Sequence, residues 1–288
     1  MKKHFTLFML IVGLAVQMLH ARSSVVTDTI FSKVLNSQRT YSVYLPSSFK
    51  QNPEKKYPVL YLLHGMSQTD RDWVWRGHMQ EVVDRLVGSG EADEMVVIMP
   101  NAGGDIYKNI WNGYFDMPGW NYEQFFYEEF LPAVEKKYRV IGDKQHRAVA
   151  GLSMGGGGAT VYGLKHSDKF AAVYAMSALM SIPEQGAARF ENPDDKLAIL
   201  TRSVIENSAI DYVVKADEQT KAALRSVAWF VDCGDDDFLL DRNIEFFQAM
   251  RNAGIPCQFR VRDGGHDWEY WHSALYTCLS FVSRAFNK

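Results

Sequence analysis

The chain has 288 residues, of which 47% are hydrophobic and 23% are charged. These proportions are ordinary for a globular protein and exclude the collagen-like and disordered classes. The formal net charge of −3 indicates no basic surface for nucleic acid, and the length allows one large domain or two small ones.

The first 21 residues have the pattern of a signal peptide. Lys2 and Lys3 provide a positive start, Phe5 to Leu19 is almost wholly apolar, and Ala21 ends an acceptable cleavage site. A transmembrane anchor is the alternative, but about 15 apolar residues are short for a bilayer. Cleavage after Ala21 removes two positive charges and no negative ones, so −3 becomes −5. We therefore expect a secreted or periplasmic protein, free of the membrane, with one domain over residues 22–288.

Strand-like and helix-like runs alternate along the rest of the chain, which predicts βα units and a mostly parallel sheet. The first two strands are expected to pair antiparallel at one edge. Asn121 and Gln124 form a capping-box pattern that predicts a helix start. The predicted strands cover residues 25–32, 39–45, 59–63, 95–99, 146–150, 170–176, 227–231 and 258–261, and the main predicted helices cover residues 121–138, 241–252 and 270–286.

The helix that follows Asn121 carries an aromatic face. Phe125, Phe126, Phe130, Val134 and Tyr138 recur at helical spacing, so we assign them to the core. Before this helix, residues 101–120 form a long loop rich in glycine, asparagine and aromatic residues.

Gly151-Leu152-Ser153-Met154-Gly155 is the most informative motif, because G-x-S-x-G lies here between a short apolar strand and a helix-forming run. That context is the one a nucleophile elbow requires. The glycines allow a sharp turn that leaves the hydroxyl of Ser153 accessible. By itself the motif also occurs as an ordinary glycine-rich turn.

A serine nucleophile needs a base and an acid, which follow it in the order Asp or Glu, then His, in α/β-hydrolases. His266 lies after a predicted strand and directly follows two glycines, so it is the predicted base. Asp232, Asp235, Asp236 and Asp237 all follow another strand. Asp237 is preferred over Asp236 because it directly precedes an apolar run, although spacing alone does not decide.

Two backbone N–H groups are expected to form the oxyanion hole. Met154 follows the nucleophile at a helix N-terminus, and Met66 follows the early strand in His64-Gly65-Met66. His64 is expected to shape that loop, and His272 is expected to be structural.

Residues 181–223 are polar and too long for a simple strand-to-helix connection. They predict either a small cap over the site or a decorated crossover, and we favour the cap. Cys233, Cys257 and Cys278 match no metal site and are interpreted as buried small hydrophobes.

Four motifs together resemble the esterase family of α/β-hydrolases that includes feruloyl esterases, acetylxylan esterases, S-formylglutathione hydrolases and mycolyltransferases. They are Tyr61-Leu62-Leu63-His64-Gly65, Gly151 to Gly156, Cys233 to Leu239 and Gly264-Gly265-His266-Asp267-Trp268, and the resemblance extends over about residues 25–285. It implies an α/β-hydrolase fold, with Ser153, Asp237 and His266 as the catalytic triad and no cofactor or metal.

A signal peptide argues against the cytosolic S-formylglutathione hydrolases. The resemblance therefore favours a secreted carboxylesterase that removes feruloyl or acetyl groups from plant cell-wall polysaccharide. The alternatives are an acyltransferase, an S-formylglutathione hydrolase-like thioesterase and a non-catalytic carbohydrate-binding relative. Trp120, Trp268 and Trp271 are candidates for stacking on a feruloyl ring or a sugar, or else for packing.

Overall fold

A computed structural model describes residues 22–288. The predicted signal peptide over residues 1–21 lies outside the described residues, so that prediction stays untested. No helix within residues 22–288 has the length and apolar character needed to cross a bilayer.

Ten strands form within the described residues. Eight belong to one sheet, in the order β1-β2-β4-β3-β7-β8-β9-β10, and two form a small hairpin, β5-β6. The strands are β1 (Ser24–Ser32), β2 (Ser37–Leu45), β3 (Val59–Leu63), β4 (Val96–Pro100), β5 (Asp116–Met117), β6 (Trp120–Asn121), β7 (Arg147–Leu152), β8 (Ala172–Met176), β9 (Ala228–Gly234) and β10 (Cys257–Arg262).

The sheet is parallel from β4 to β10, while β1 and β2 pair antiparallel with each other and β2 with β4. The mostly parallel sheet, the edge pair and all eight predicted strands are therefore confirmed, with bounds that shift by a few residues. Strands β3, β4, β7 and β8 are buried along their whole length, as expected for a parallel sheet covered on both faces.

Helices cover both faces of the sheet. The helices are α1 (Asp72–Trp75), α2 (Met79–Ser89), α3 (Tyr122–Phe125), α4 (Leu131–Lys137), α5 (Ser153–Lys165), α6 (Gln185–Ala188), α7 (Lys196–Glu206), α8 (Ala209–Lys215), α9 (Glu218–Leu224), α10 (Leu240–Asn252) and α11 (Trp268–Phe286). One apolar core lies between the sheet and α2 and α11, and the other lies between the sheet and α4, α5 and α10.

The predicted helix over residues 121–138 forms with a π-helical turn, Phe126–Phe130, between α3 and α4. Its aromatic face is buried as predicted. The predicted capping role of Asn121 was wrong, because its side chain makes no hydrogen bond to the start of the helix. The Asp116 carboxylate, from the β5-β6 hairpin, instead accepts a hydrogen bond from the Gln124 N–H at 3.1 Å.

Residues 181–223 form the four short helices α6 to α9 between β8 and β9. Helix α8 packs on α5 and α10, so this part is a crossover that completes one helical layer. Helix α7 packs against β5, which belongs to the long loop of residues 101–120. Among the described residues, no side chain of this segment hydrogen-bonds to Ser153, Asp237 or His266. The segment connects β8 to β9 through this layer, and its role as a cap over the site stays a prediction.

Gly155 brings the start of α5 against the end of β3. A Cβ at this position would lie 2.6 Å from the Leu63 carbonyl oxygen and closer still to the His64 carbonyl oxygen. Only a residue without a side chain fits between these two backbones. Gly155 therefore determines how closely the turn after β3 approaches the turn after β7.

We predict that Gly155→Ala lowers the melting temperature by several degrees, because main-chain atoms must separate to admit the methyl group. Thermal unfolding followed by circular dichroism measures the stability change. Gly88→Ala is the matched control: Gly88 lies in α2, and a Cβ there meets no atom within 4 Å. This control is expected to keep or raise stability. An equal effect of both substitutions would contradict the packing constraint.

Candidate active site

Ser153 occupies the sharp turn between β7 and α5. Its backbone has a φ of 54°, in the left-handed region that non-glycine residues rarely adopt. The preceding Leu152 is extended, with φ −113°. The turn is held from the loop that follows β8, because the Leu179 N–H donates to the Ser153 carbonyl oxygen at 2.9 Å. This strained strand–turn–helix geometry is that of a nucleophile elbow.

The structure brings Ser153, His266 and Asp237 together from three different loops. His266 Nε2 lies 2.9 Å from Ser153 Oγ, and its Nδ1 lies 3.0 and 2.9 Å from the two Asp237 carboxylate oxygens. Asp237 follows β9, and His266 follows β10, so both side chains extend from the carboxyl ends of strands. These contacts give the imidazole a donor nitrogen toward Asp237 and an acceptor nitrogen toward the Ser153 hydroxyl.

Within the described residues, the other candidate carboxylates make no hydrogen bond to His266. Asp236 is exposed, and its backbone N–H donates to the Gly264 carbonyl oxygen. Asp232 is fully buried within β9, where it accepts hydrogen bonds from Tyr174 and Tyr270, each at 2.6 Å, and pairs with Arg260. Asp237 is thus the carboxylate placed to orient the imidazole.

The Asp237 carboxylate is almost completely buried. Burial alone would raise its pKa, but hydrogen bonds from His266, from the Ser177 hydroxyl and from the Leu239 N–H outweigh that effect and hold the pKa below its usual value. The Leu239 N–H donates at 2.8 Å. The carboxylate therefore stays ionised, as a group that stabilises a protonated imidazole must.

Ser177 supports Asp237 and is absent from every motif in the sequence. It is fully buried directly after β8, with φ 44°, and its N–H donates to the Asp232 carbonyl oxygen at 2.7 Å. The Trp271 indole N–H donates to the Ser177 Oγ at 3.0 Å. The Ser177 hydroxyl lies near the Asp237 carboxylate and helps to lower its pKa.

Trp271 is only 3% exposed, so it has no free face for a ligand. Its ring meets the His266 imidazole edge to face, with centroids 4.9 Å apart. A stacking role for Trp271 is therefore wrong, because its ring is covered by protein and supports Ser177 and His266 instead.

The other two candidate tryptophans are partly exposed and already packed on one face. Trp120 stacks on Tyr122 with centroids 5.7 Å apart, and its indole N–H donates to the Gly113 carbonyl oxygen at 2.9 Å. Trp268 meets Trp271 edge to face, and the guanidinium of Arg76 lies over its ring. Contact with substrate stays a prediction for both.

The Met66 and Met154 N–H groups lie on the two turns that Gly155 holds together. Neither donates a hydrogen bond to another group of the described residues. Met154 is the second residue of α5, so its N–H has no partner within the helix and lies at the positive end of the helix dipole. The oxyanion role of both groups stays a prediction.

His64 shapes the Met66 turn from within the core. Its Nδ1 donates to the Gly65 carbonyl oxygen at 2.7 Å, and its Nε2 accepts from the Ala102 N–H at 3.0 Å. These partners require the neutral ring, and burial lowers the pKa of His64 accordingly. His272 has a structural contact as predicted, with Nδ1 at 2.8 Å from the Gly77 carbonyl oxygen.

The three cysteines are free thiols. Cys233 and Cys278 are buried as predicted, whereas Cys257, in the edge strand β10, is partly exposed. Burial raises the pKa of Cys233 and Cys278, which keeps both as unreactive thiols.

Comparison with known proteins identifies the family. The family model described as "Putative esterase" matches residues 32–282. A solved structure of a ferulic acid esterase is 74% identical, with a TM-score of 0.88, over 92% of this chain and 99% of that one.

Two curated relatives are more distant. An acetyl esterase of Caldicellulosiruptor saccharolyticus is 24% identical over 88% of this chain and 96% of its own length. An endo-1,4-beta-xylanase/feruloyl esterase of Xylanibacter ruminicola is also 24% identical, over 86% of this chain, and the chain spans 30% of that longer protein.

The nucleophile elbow and the mostly parallel sheet are features of α/β-hydrolases, and the family model matches nearly the whole described chain. The chain belongs to this esterase family of α/β-hydrolases and is a carboxylic ester hydrolase.

Proposed function

We propose that this protein is a secreted feruloyl esterase, which uses Ser153, His266 and Asp237 to release ferulate from plant cell-wall polysaccharide. The observation that carries the proposal is the 74% identity to a ferulic acid esterase along nearly the full length of both chains. The hydrogen-bonded Ser153–His266–Asp237 series supports the mechanism. Secretion rests on the signal-peptide pattern of residues 1–21.

Hydrolysis proceeds in two acyl-transfer steps. His266 Nε2 accepts the Ser153 proton as Oγ attacks the ester carbonyl carbon, and the resulting oxyanion is stabilised by the Met66 and Met154 N–H groups. His266 then donates that proton to the alcohol oxygen as the carbon–oxygen bond breaks, which leaves a feruloyl ester on Ser153. Water, deprotonated by His266, attacks this ester. His266 then returns the proton to Ser153 Oγ as the bond to the acyl carbon breaks, which releases ferulate and restores the Ser153 hydroxyl. The Asp237 carboxylate stabilises the imidazolium in both steps.

Hydrolysis of acetyl esters is the second candidate activity. It is favoured by the acetyl esterase from Caldicellulosiruptor saccharolyticus, which aligns over 96% of its length. Parallel assays of methyl ferulate and acetylated xylan distinguish the two. We expect methyl ferulate to be the better substrate by kcat/KM, and a clear preference for acetylated xylan would replace the feruloyl assignment.

We predict that Ser153→Ala lowers kcat for methyl ferulate by about a million-fold, because no other group supplies the nucleophile. Release of ferulate, followed by absorbance, measures the loss. The melting temperature should remain near that of the wild type. Ser283→Ala is the matched control, because Ser283 is buried at the far end of α11 and donates to Asp93. Substantial turnover by Ser153→Ala would refute the assignment of the nucleophile.

We predict that the logarithm of kcat/KM for methyl ferulate, plotted against pH, falls on the acid side with a slope of one. Asp237 is held ionised by its lowered pKa, so it adds no second protonation to the acid side of the profile. Initial rates from about pH 8 to about pH 4 give the profile. A slope approaching two would show that Asp237 protonates in the same range and would contradict this electrostatic account.

We predict that Ser177→Ala lowers kcat by about tenfold and leaves KM within about twofold, because Asp237 loses a donor that stabilises its charge. Steady-state kinetics on methyl ferulate separates the two parameters, and Ser283→Ala again serves as the buried-serine control. If kcat stayed at the wild-type value while only thermal stability fell, Ser177 would be a purely structural residue.

A further inference from the structure

Phe238 is an unusual residue beside the active site. It lies in the turn between β9 and α10 and is 76% exposed, more than any other phenylalanine in the part of the chain that the structure describes. The residues on either side of it, Asp237 and Leu239, are both buried. An exposed aromatic ring between two buried neighbours, next to a catalytic group, is a candidate surface for a ligand.

The ring of Phe238 contacts the imidazole of His266, with centroids 4.5 Å apart and planes tilted by 47°. His266 also contacts Trp271, which is buried and hydrogen-bonded to Ser177. The imidazole thus already has a buried aromatic support and a carboxylate partner. Phe238 adds a second aromatic contact, and most of its ring remains open to solvent.

The chemistry of the proposed reaction determines which part of the substrate reaches this ring. In the tetrahedral intermediate the carbonyl oxygen faces the Met66 and Met154 N–H groups. The alcohol oxygen must face His266, because Nε2 delivers the proton that allows the alcohol to leave. The group attached to that oxygen therefore extends past the imidazole. Phe238, which contacts the imidazole, lies beside the alcohol part of the ester and not beside the acyl part.

The charge around Phe238 favours a neutral alcohol with hydroxyl groups. Asp235, Asp236 and Asp263 are all exposed, and carboxylate oxygens from the three lie within 4.8 Å of one another. Asp236 is two residues from Phe238 in the same turn. Three clustered carboxylates repel an anionic leaving group such as glutathione, whereas they accept hydrogen bonds from sugar hydroxyls.

We propose that Phe238 is the platform of a subsite for the alcohol part of the ester, on which the sugar that carries the acyl group packs with its C–H face. This inference rests on the proposed esterase function and adds the residue that distinguishes a carbohydrate ester from a simple alkyl ester. Stacking removes apolar surface of both rings from water, which stabilises the complex. Methanol is too small to cover the ring, so methyl ferulate gains little from it.

The experiment compares two esters that share the acyl group, methyl ferulate and a feruloylated arabino-oligosaccharide, in wild-type protein and in three variants. Phe238→Ala removes the ring, and Phe238→Tyr keeps it. Phe31→Ala is the matched control, since Phe31 is also exposed, at 57%, but lies in the edge strand β1. The measured quantity is the ratio of kcat/KM for the sugar ester to kcat/KM for methyl ferulate.

We expect Phe238→Ala to lower this ratio about tenfold, mainly through a higher KM for the sugar ester, and Phe238→Tyr to restore it. Phe31→Ala should leave the ratio at the wild-type value. A ratio that is unchanged in Phe238→Ala, whether both rates fall together or neither falls, would overturn the subsite. Wild-type protein that releases ferulate from neither ester would instead overturn the proposed function, and the subsite with it.

Discussion

The contact between the turn after β3 and the turn after β7 is the constraint on which the rest of the site depends. At Gly155, α5 starts so close to the Leu63 and His64 carbonyl oxygens that no side chain fits. These two turns carry the Met66 and Met154 N–H groups, the predicted oxyanion donors. His64 maintains one side of the contact as a neutral, buried imidazole bonded to Gly65 and Ala102. The proposed oxyanion site thus depends on backbone packing more than on side-chain chemistry.

A second set of contacts orients the base. Asp237 holds His266, and Ser177 and Trp271 hold that pair from within the core. Two of the supporting or reacting residues, Ser153 and Ser177, have positive φ values, so the backbone strain in this region lies at the site itself. The burial that stabilises Trp271 excludes it from binding substrate. The exposed rings near the site, Phe238 above all, remain available for that purpose.

Much of this arrangement was predictable from the sequence, for local reasons. Strand β3 is a continuous apolar run, and the elbow and the histidine each follow a strand within a glycine-rich motif. The choice of Asp237 among four aspartates rested on preference, because neighbouring residues in a turn share the same spacing. Ser177 carried no signal, since its role depends on Trp271, far along the chain. The helix cap was assigned to Asn121 instead of Asp116 for the same reason: the partner comes from another turn. Contacts between distant segments, not local patterns, account for these differences.

The central claim is that Ser153 is the residue that carries the acyl group. Intact-mass and peptide-mapping mass spectrometry of the protein, treated with an aryl phosphonate that mimics the tetrahedral intermediate, tests this most directly. The account predicts one adduct per chain, on the peptide that contains Ser153, and no adduct when His266 is replaced by alanine under the same conditions. A stable adduct on a different residue, with Ser153 unmodified, would contradict it.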